Sequence, residues 1–256
     1  MNRRVIAILL LLAFGWTKLD YEHKLLEQQR AAFFHGAALN LEMRQQLGQA
    51  AFLAALSGFR SIVADALWIR AHAAWEETQW GRMALLFSNV TALQPRSLLF
   101  WDMAAWHMAW NASVAARENP AQPRETLRIK AQREYFKLGE QFYLDGIENN
   151  PDRHLLYERI AMLYRDKLED HCKAAEYFSK AAKFDTAPSY TARFAAYEMA
   201  KCPGREREAY YELKRLYELG DAQRLPTLLT SLREMQEKLD IPQADRIKVE
   251  EPPRPN

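Results

Sequence analysis

Glycine and β-branched runs are scarce in this chain of 256 residues, which contains nine glycines. Ala, Leu, Glu, Arg and Gln dominate instead, and these residues favour helix. The sequence therefore predicts an all-α protein. It contains no HExxH, CxxC, GxSxG or Walker-type glycine loop, which excludes the enzyme and metal-site classes that those motifs define. We expect a non-catalytic protein with no cofactor and no metal.

Charge of one sign is also not in excess. Lys and Arg total 35 and Asp and Glu total 33. A nucleic-acid-binding domain typically carries a basic patch or stripe. The near balance of charge therefore predicts that nucleic acid is not a partner.

The chain contains one long apolar run, VIAILLLLAFGW, at residues 5–16, directly after two arginines. As a helix it spans about 18 Å, less than the ~30 Å hydrocarbon core of a bilayer. Trp16 and Lys18 extend it with residues that suit the membrane interface. The pattern favours an uncleaved anchor at 1–18 in a bacterial inner membrane, crossing once, with the remainder extracytoplasmic.

A cleaved signal peptide is the alternative interpretation of the same segment, because small residues stand near the end of the run at Ala13 and Gly15. Cleavage would release a soluble periplasmic protein. No cysteine stands directly after the run, which argues against a lipid anchor.

The rest of the chain divides by composition. Residues 19–60 are predicted to form a polar helical stalk or N-terminal helix, residues 61–240 a helical repeat domain, and the Pro-rich residues 241–256 a disordered tail. Helices are predicted at 21–47, 61–77, 80–93, 97–114, 125–148, 153–167, 171–184, 189–200, 205–219 and 225–239.

Two segments share the same internal spacing. WGRMALLFSNVTALQP places Trp80, Phe87 and Pro95 at the offsets that FKLGEQFYLDGIENNP repeats further on. A third copy, HCKAAEYFSKAA, follows the same pattern. Small residues let paired helices approach, aromatic residues fill the gap, and Pro ends the second helix. The residues assigned to this repeat packing are Trp80, Phe87, Pro95, Trp101, Phe136, Tyr143, Pro151, Ala174, Phe178 and Ala181.

These offsets resemble the second helix of a tetratricopeptide repeat (TPR), over roughly residues 61–220. The resemblance implies a right-handed α-solenoid of TPR-like helix hairpins and a protein–protein interaction scaffold. Pro95 and Pro151 are further apart than the usual TPR period of about 34 residues. The excess predicts an enlarged turn at 111–134 inside the second repeat.

Six of the seven tryptophans lie between residues 68 and 110. In the TPR register some of them join the groove face of successive first helices, where rigid aromatic side chains beside acids suit the binding of a protein or peptide. His72 and His107 are expected to approach each other there. The predicted groove residues are Asp65, Trp68, His72, Trp75, Asp102, Trp106 and Trp110.

Two alternatives to partner binding stay open for this groove. In the first alternative, segment 111–134 or the N-terminal helix fills the groove. In the second, the groove is the pocket of a small-ligand receptor or enzyme. Asp65 stands among apolar neighbours, so we expect it to be buried and paired with Arg60 or Arg70.

The two cysteines, Cys172 and Cys202, lie at equal distances from a helical turn near residue 187. They should therefore face each other across an antiparallel helix pair, in a geometry that permits a disulfide. A disulfide would agree with an exported, oxidising setting. Two separate buried thiols are the alternative.

Overall fold

The computed structural model describes residues 58–248. The predicted anchor or signal segment at 1–18, the helix at 21–47 and residues 249–256 lie outside the described residues. Within 58–248 every regular element is helical. The helices are α1 (Arg60–Glu76), α2 (Trp80–Leu93), α3 (Leu98–Trp106), a π-helical segment (His107–Ala112), α4 (Ser113–Arg117), α5 (Glu125–Asn149), α6 (His154–Asp166), α7 (His171–Ala181), α8 (Ser189–Lys201), α9 (Glu206–Glu218) and α10 (Pro226–Lys238).

Local sequence signals explain where several helices begin and end. Helix α2 ends two residues before Pro95, because the residue before a proline is disfavoured in helical conformation. Asp170 caps α7 by accepting a hydrogen bond of 2.9 Å from the backbone N–H of Lys173. Pro226 occupies the first position of α10, where its missing N–H costs no helical hydrogen bond.

The chain divides into two compact units, with the boundary between Pro151 and Asp152. In the first unit α1 packs against α2, while α3, the π-helical segment and α4 pack against the long helix α5. The buried residues Ala64, Leu67, Val90 and Leu93 form a core between α1 and α2.

In the second unit α7 packs against both α6 and α8, and α9 packs against α8 and α10. Its larger core is built from α7, α8, α9 and α10. Ile241 and Ile247 pack against that core, and the backbone N–H of Ile247 donates to Gln236 Oε1 at 2.7 Å. Residues 241–248, expected to begin a disordered tail, thus pack on the second unit.

The predicted enlarged turn at 111–134 is mostly helical. It contains the end of the π-helical segment, α4, a connection of seven residues at 118–124, and the beginning of α5. The insertion therefore lengthens both helices of the pair and leaves a short connection between them.

No helix within residues 58–248 is both long enough and apolar enough to cross a membrane.

Candidate functional site

The first unit contains an aromatic–histidine cluster formed by three segments: α1, α2 and the junction of α3 with the π-helical segment. His107 lies at its centre. The ring centroid of His107 lies 5.0 Å from that of Trp106, 5.7 Å from those of Trp75 and Phe87, and 6.1 Å from that of His72. The expected approach of His72 and His107 is confirmed. We call His72, Trp75, Phe87, Trp106 and His107 the aromatic–histidine cluster.

His107 is buried, with 3% of its surface exposed. A hydrogen bond of 2.9 Å joins Asn111 Nδ2 to its Nδ1. Since the amide nitrogen donates, Nδ1 accepts, and the neutral ring carries its proton on Nε2. Nε2 has no hydrogen-bond partner among the described residues, and neither does the buried Nδ1 of His72. The cluster therefore holds two buried imidazole nitrogens whose hydrogen-bonding capacity is unused.

A short π-helical segment begins at His107 and includes Asn111. One-turn π-helical insertions inside α-helices are uncommon and are frequent at functional sites. Here His107 and Asn111 meet four residues apart within this segment. Nothing in the residue pattern of HMAWNA predicts this wider turn or the role of Asn111.

The pKa of His107 is lowered from 6.5 to about 4, chiefly because burial disfavours the charged ring and secondly because His72 lies nearby. The imidazole is therefore neutral at pH 7. A neutral ring whose N–H has no partner among the described residues can act as a hydrogen-bond donor inside an apolar surface.

Trp75 and Trp106 cover His107 and remain 39% and 41% exposed. We call these two rings the aromatic platform. Other large apolar side chains on α1 and α3 are also exposed, namely Ile62, Ile69 and Leu99. A contiguous exposed apolar patch marks an interaction site, whereas apolar side chains exposed singly are normal.

The remaining predicted groove residues lie in different surroundings. Trp68 is half-buried, and its ring packs against Phe87 and Phe100 at centroid distances of 5.4 and 5.0 Å. Asp102 accepts a hydrogen bond of 3.0 Å from the Tyr143 hydroxyl. Trp110 is half-buried.

The prediction that Asp65 is buried was wrong, because its side chain is exposed. It lies three residues after Ile62 and four before Ile69, both of which are exposed on the same face of α1. Apolar neighbours in the sequence therefore did not mean a buried environment, and no ion pair with Arg60 or Arg70 is needed to offset burial.

Most residues assigned to repeat packing are in the interior. Phe87, Trp101, Phe136, Tyr143, Ala174, Phe178 and Ala181 are all buried. Trp101 Nε1 and Asn150 Nδ2 both donate to the carbonyl oxygen of Pro95, at 2.8 and 2.9 Å. Trp80 and Pro95 are half-buried and Pro151 is exposed.

The second unit contains a disulfide between Cys172 and Cys202, whose Cα atoms lie 4.8 Å apart. A buried carboxylate lies beside it. Glu198 is 3% exposed, and its two oxygens contact His171 Nδ1 at 2.6 Å and Lys201 Nζ at 2.9 Å. Each of these bases precedes one cysteine in the sequence, so Glu198 aligns the start of α7 with the end of α8. The sequence analysis did not identify Glu198.

Among residues 58–248 no three His, Cys, Asp or Glu side chains are grouped so as to hold a metal ion. No family model matches the chain, and no curated protein matches it in sequence.

The low pKa of His107 predicts a pH dependence of stability. Above pH 6.5 the ring is neutral in both the folded and the unfolded chain. As the pH falls from 6.5 to 4, only the unfolded chain takes up the proton, so the free energy of unfolding should fall by at most about 3 kcal/mol. Below pH 4 this loss is complete.

Urea unfolding of the wild type and His107→Phe at several pH values measures this effect. Phe keeps a ring against Phe87 and does not titrate. Between pH 6.5 and 4 the free energy of unfolding of the variant should therefore fall less than that of the wild type, by the part that His107 causes. An equal fall in both proteins would show that other groups cause it.

Proposed function

We propose that this chain is a non-catalytic scaffold of TPR-like helix hairpins that binds another protein. In this proposal the hairpins form a right-handed solenoid. Residues 5–16 anchor the chain in a bacterial inner membrane, and the helical units lie on the extracytoplasmic side. The helix order and the buried positions of the repeated aromatic residues support the TPR-like interpretation. The Cys172–Cys202 disulfide supports an oxidising compartment.

The observation that carries the proposal is the exposure of the aromatic platform above a buried, neutral histidine. Trp75 and Trp106 each leave about two fifths of their surface in water. Tryptophan is enriched among the residues that dominate binding energy at protein interfaces, because a large rigid ring loses little entropy on binding. A partner side chain packed on these rings would bury them.

A small-ligand receptor is the second candidate function, and the two unused nitrogens of His72 and His107 favour it. A ligand oxygen placed between the rings would accept a hydrogen bond from the buried N–H of His107. This candidate predicts binding of a small molecule without a protein partner. The soluble periplasmic form, released by signal cleavage, is compatible with either function.

Trp106→Ala is expected to reduce capture of the partner at least tenfold, because truncating a central aromatic residue of an interface typically costs 2 kcal/mol or more. Capture is measured by purifying the full chain from chemically cross-linked, solubilised membranes. Tyr211→Ala, which removes an aromatic side chain that is 61% exposed in the second unit, is the matched control.

Thermal unfolding of each variant tests whether the fold is retained. Equal capture by the wild type and a folded Trp106→Ala would contradict the role of the platform. Loss of capture in both folded variants would show that the partner does not bind specifically at the platform.

A further inference from the structure

The first unit contains a cavity of about 540 Å³ that the function proposed above does not use. The end of α4, the 118–124 connection and the beginning of α5 line it. The first residue of α2 also contributes to its wall. Its walls are about half polar and half apolar. They include Trp80, Ala116, Pro120, Leu127, Arg128 and Tyr135. A volume of this size is typical of sites for small organic molecules.

Arg128 lies in the wall of the cavity, and the hydrogen-bond donors of its guanidinium are not all satisfied. Arg128 Nη1 donates to the carbonyl oxygen of Gln122 at 3.4 Å, which is a long hydrogen bond. Arg128 Nε is buried and has no acceptor among the residues that the structure describes. A buried donor without an acceptor is costly, and more so on a charged group. Arg128 therefore keeps a donor that no described residue satisfies.

The nearby carboxylates accept no hydrogen bond from Arg128 within the described residues, although the charge of Glu125 lies close enough to attract its guanidinium. Glu125 is bound to Arg117, with 2.7 Å between its Oε1 and Nη2. Glu118 also lines the cavity but its side chain is exposed, so solvent and salt screen its charge. In the described part of the chain, no carboxylate forms an ion pair with Arg128.

Apolar and aromatic side chains line the same cavity as this cation. Trp80 and Tyr135 provide rings and Leu127 an aliphatic wall that is 40% exposed. The combination of one arginine with a partly apolar wall fits a molecule that has an anionic end and an apolar body. The planar guanidinium matches a carboxylate in shape and can donate two parallel hydrogen bonds to it.

We infer that this cavity binds a small carboxylate with an apolar ring or short chain, whose carboxylate pairs with Arg128 and whose body packs against Trp80 and Leu127. The site is separate from the aromatic platform, so it adds a small-molecule ligand to the protein partner proposed above. Its position beside the enlarged turn gives the longer helix pair of the first unit a binding role.

The test uses the full chain in lipid nanodiscs and two probes of almost identical shape, phenylacetate and phenylacetamide. Calorimetric titration, or saturation-transfer NMR, measures binding of each. Phenylacetate should bind at least tenfold more tightly than phenylacetamide, because only the anion pairs with the guanidinium. Empty nanodiscs show the binding due to lipid.

Three variants assign the binding to the cavity. Arg128→Gln should weaken binding of phenylacetate at least tenfold and leave that of phenylacetamide unchanged. Ala116→Leu, which fills the cavity, should weaken binding of both. Arg124→Gln removes an exposed arginine of the same connection and should change neither. Circular dichroism tests that each variant is folded.

Several outcomes would overturn the inference. These are equal binding of both probes, a loss of phenylacetate binding in Arg124→Gln equal to that in Arg128→Gln, or no saturable binding of either probe to the folded wild type. The last result would mean that only ordered water accepts the remaining hydrogen bonds of Arg128. None of these outcomes affects the test of Trp106, so the two proposals fail independently.

Discussion

Gly139→Ala is expected to destabilise the first unit by up to about 2 kcal/mol, although alanine is the better helix former. A Cβ atom at this position would lie 2.7 Å from Ala109 Cβ and 2.9 Å from the backbone oxygen of Ala105. Because α5 crosses the α3 and π-helical segments at this point, the contacts involve backbone and a side chain that cannot rotate away. Overpacking of this kind typically costs 1–3 kcal/mol, which exceeds the ~1 kcal/mol that alanine contributes in a helix.

Gly81→Ala is the matched control for Gly139→Ala. Gly81 lies in α2, is exposed, and a Cβ atom there would have no neighbour within 4 Å. Alanine should therefore stabilise the helix by up to ~1 kcal/mol. The same substitution thus has opposite signs at the two positions.

Urea unfolding followed by tryptophan fluorescence measures both effects, since six of the seven tryptophans lie between residues 68 and 110, in the first unit. A Gly139→Ala protein as stable as the wild type would show that the helices do not approach this closely.

Loss of the disulfide is expected to destabilise the second unit by about 3–4 kcal/mol. The bond between Cys172 and Cys202 closes a loop with a sequence separation of 30. In the chain-entropy description, a cross-link over a loop of this length lowers the entropy of the unfolded chain by that amount. Helices α7 and α8 also meet through Glu198, so the folded geometry is already aligned without the bond.

Far-UV circular dichroism during thermal or urea unfolding measures this effect in the double variant Cys172→Ser/Cys202→Ser. Reductant should lower the stability of the wild type to that of the variant and leave the variant unchanged. A variant as stable as the oxidised wild type, or one equally sensitive to reductant, would contradict the expected contribution of the bond.

The helix boundaries were largely predictable, because the residues that end helices are local signals. Helix α2 matches its predicted range, and α5 and α8 each extend one residue beyond theirs. Small residues at repeat offsets, such as Gly139, also correctly indicated where helices approach. Such signals are carried by the residue itself and do not depend on the rest of the fold.

Other features depend on how helices pack and were not predictable from single residues. Asp65 appeared to be buried because its sequence neighbours are apolar, yet that face of α1 is exposed. The π-helical turn at His107 has no compositional signature, so the bond to Asn111 was missed. The cavity at Arg128 arises where three segments meet. The length of the insertion was visible in the repeat spacing, whereas the space that it encloses was not.

The measurement that tests the central proposal most directly is site-specific photo-cross-linking in intact membranes. A photoreactive amino acid is placed at position 75 or 106 of the aromatic platform, or at the control position 219, which is exposed in the second unit. We predict a discrete cross-linked protein at 75 and 106 and none at 219. The same cross-linked product at all three positions, or none at any, would contradict the proposal that the platform binds a protein partner.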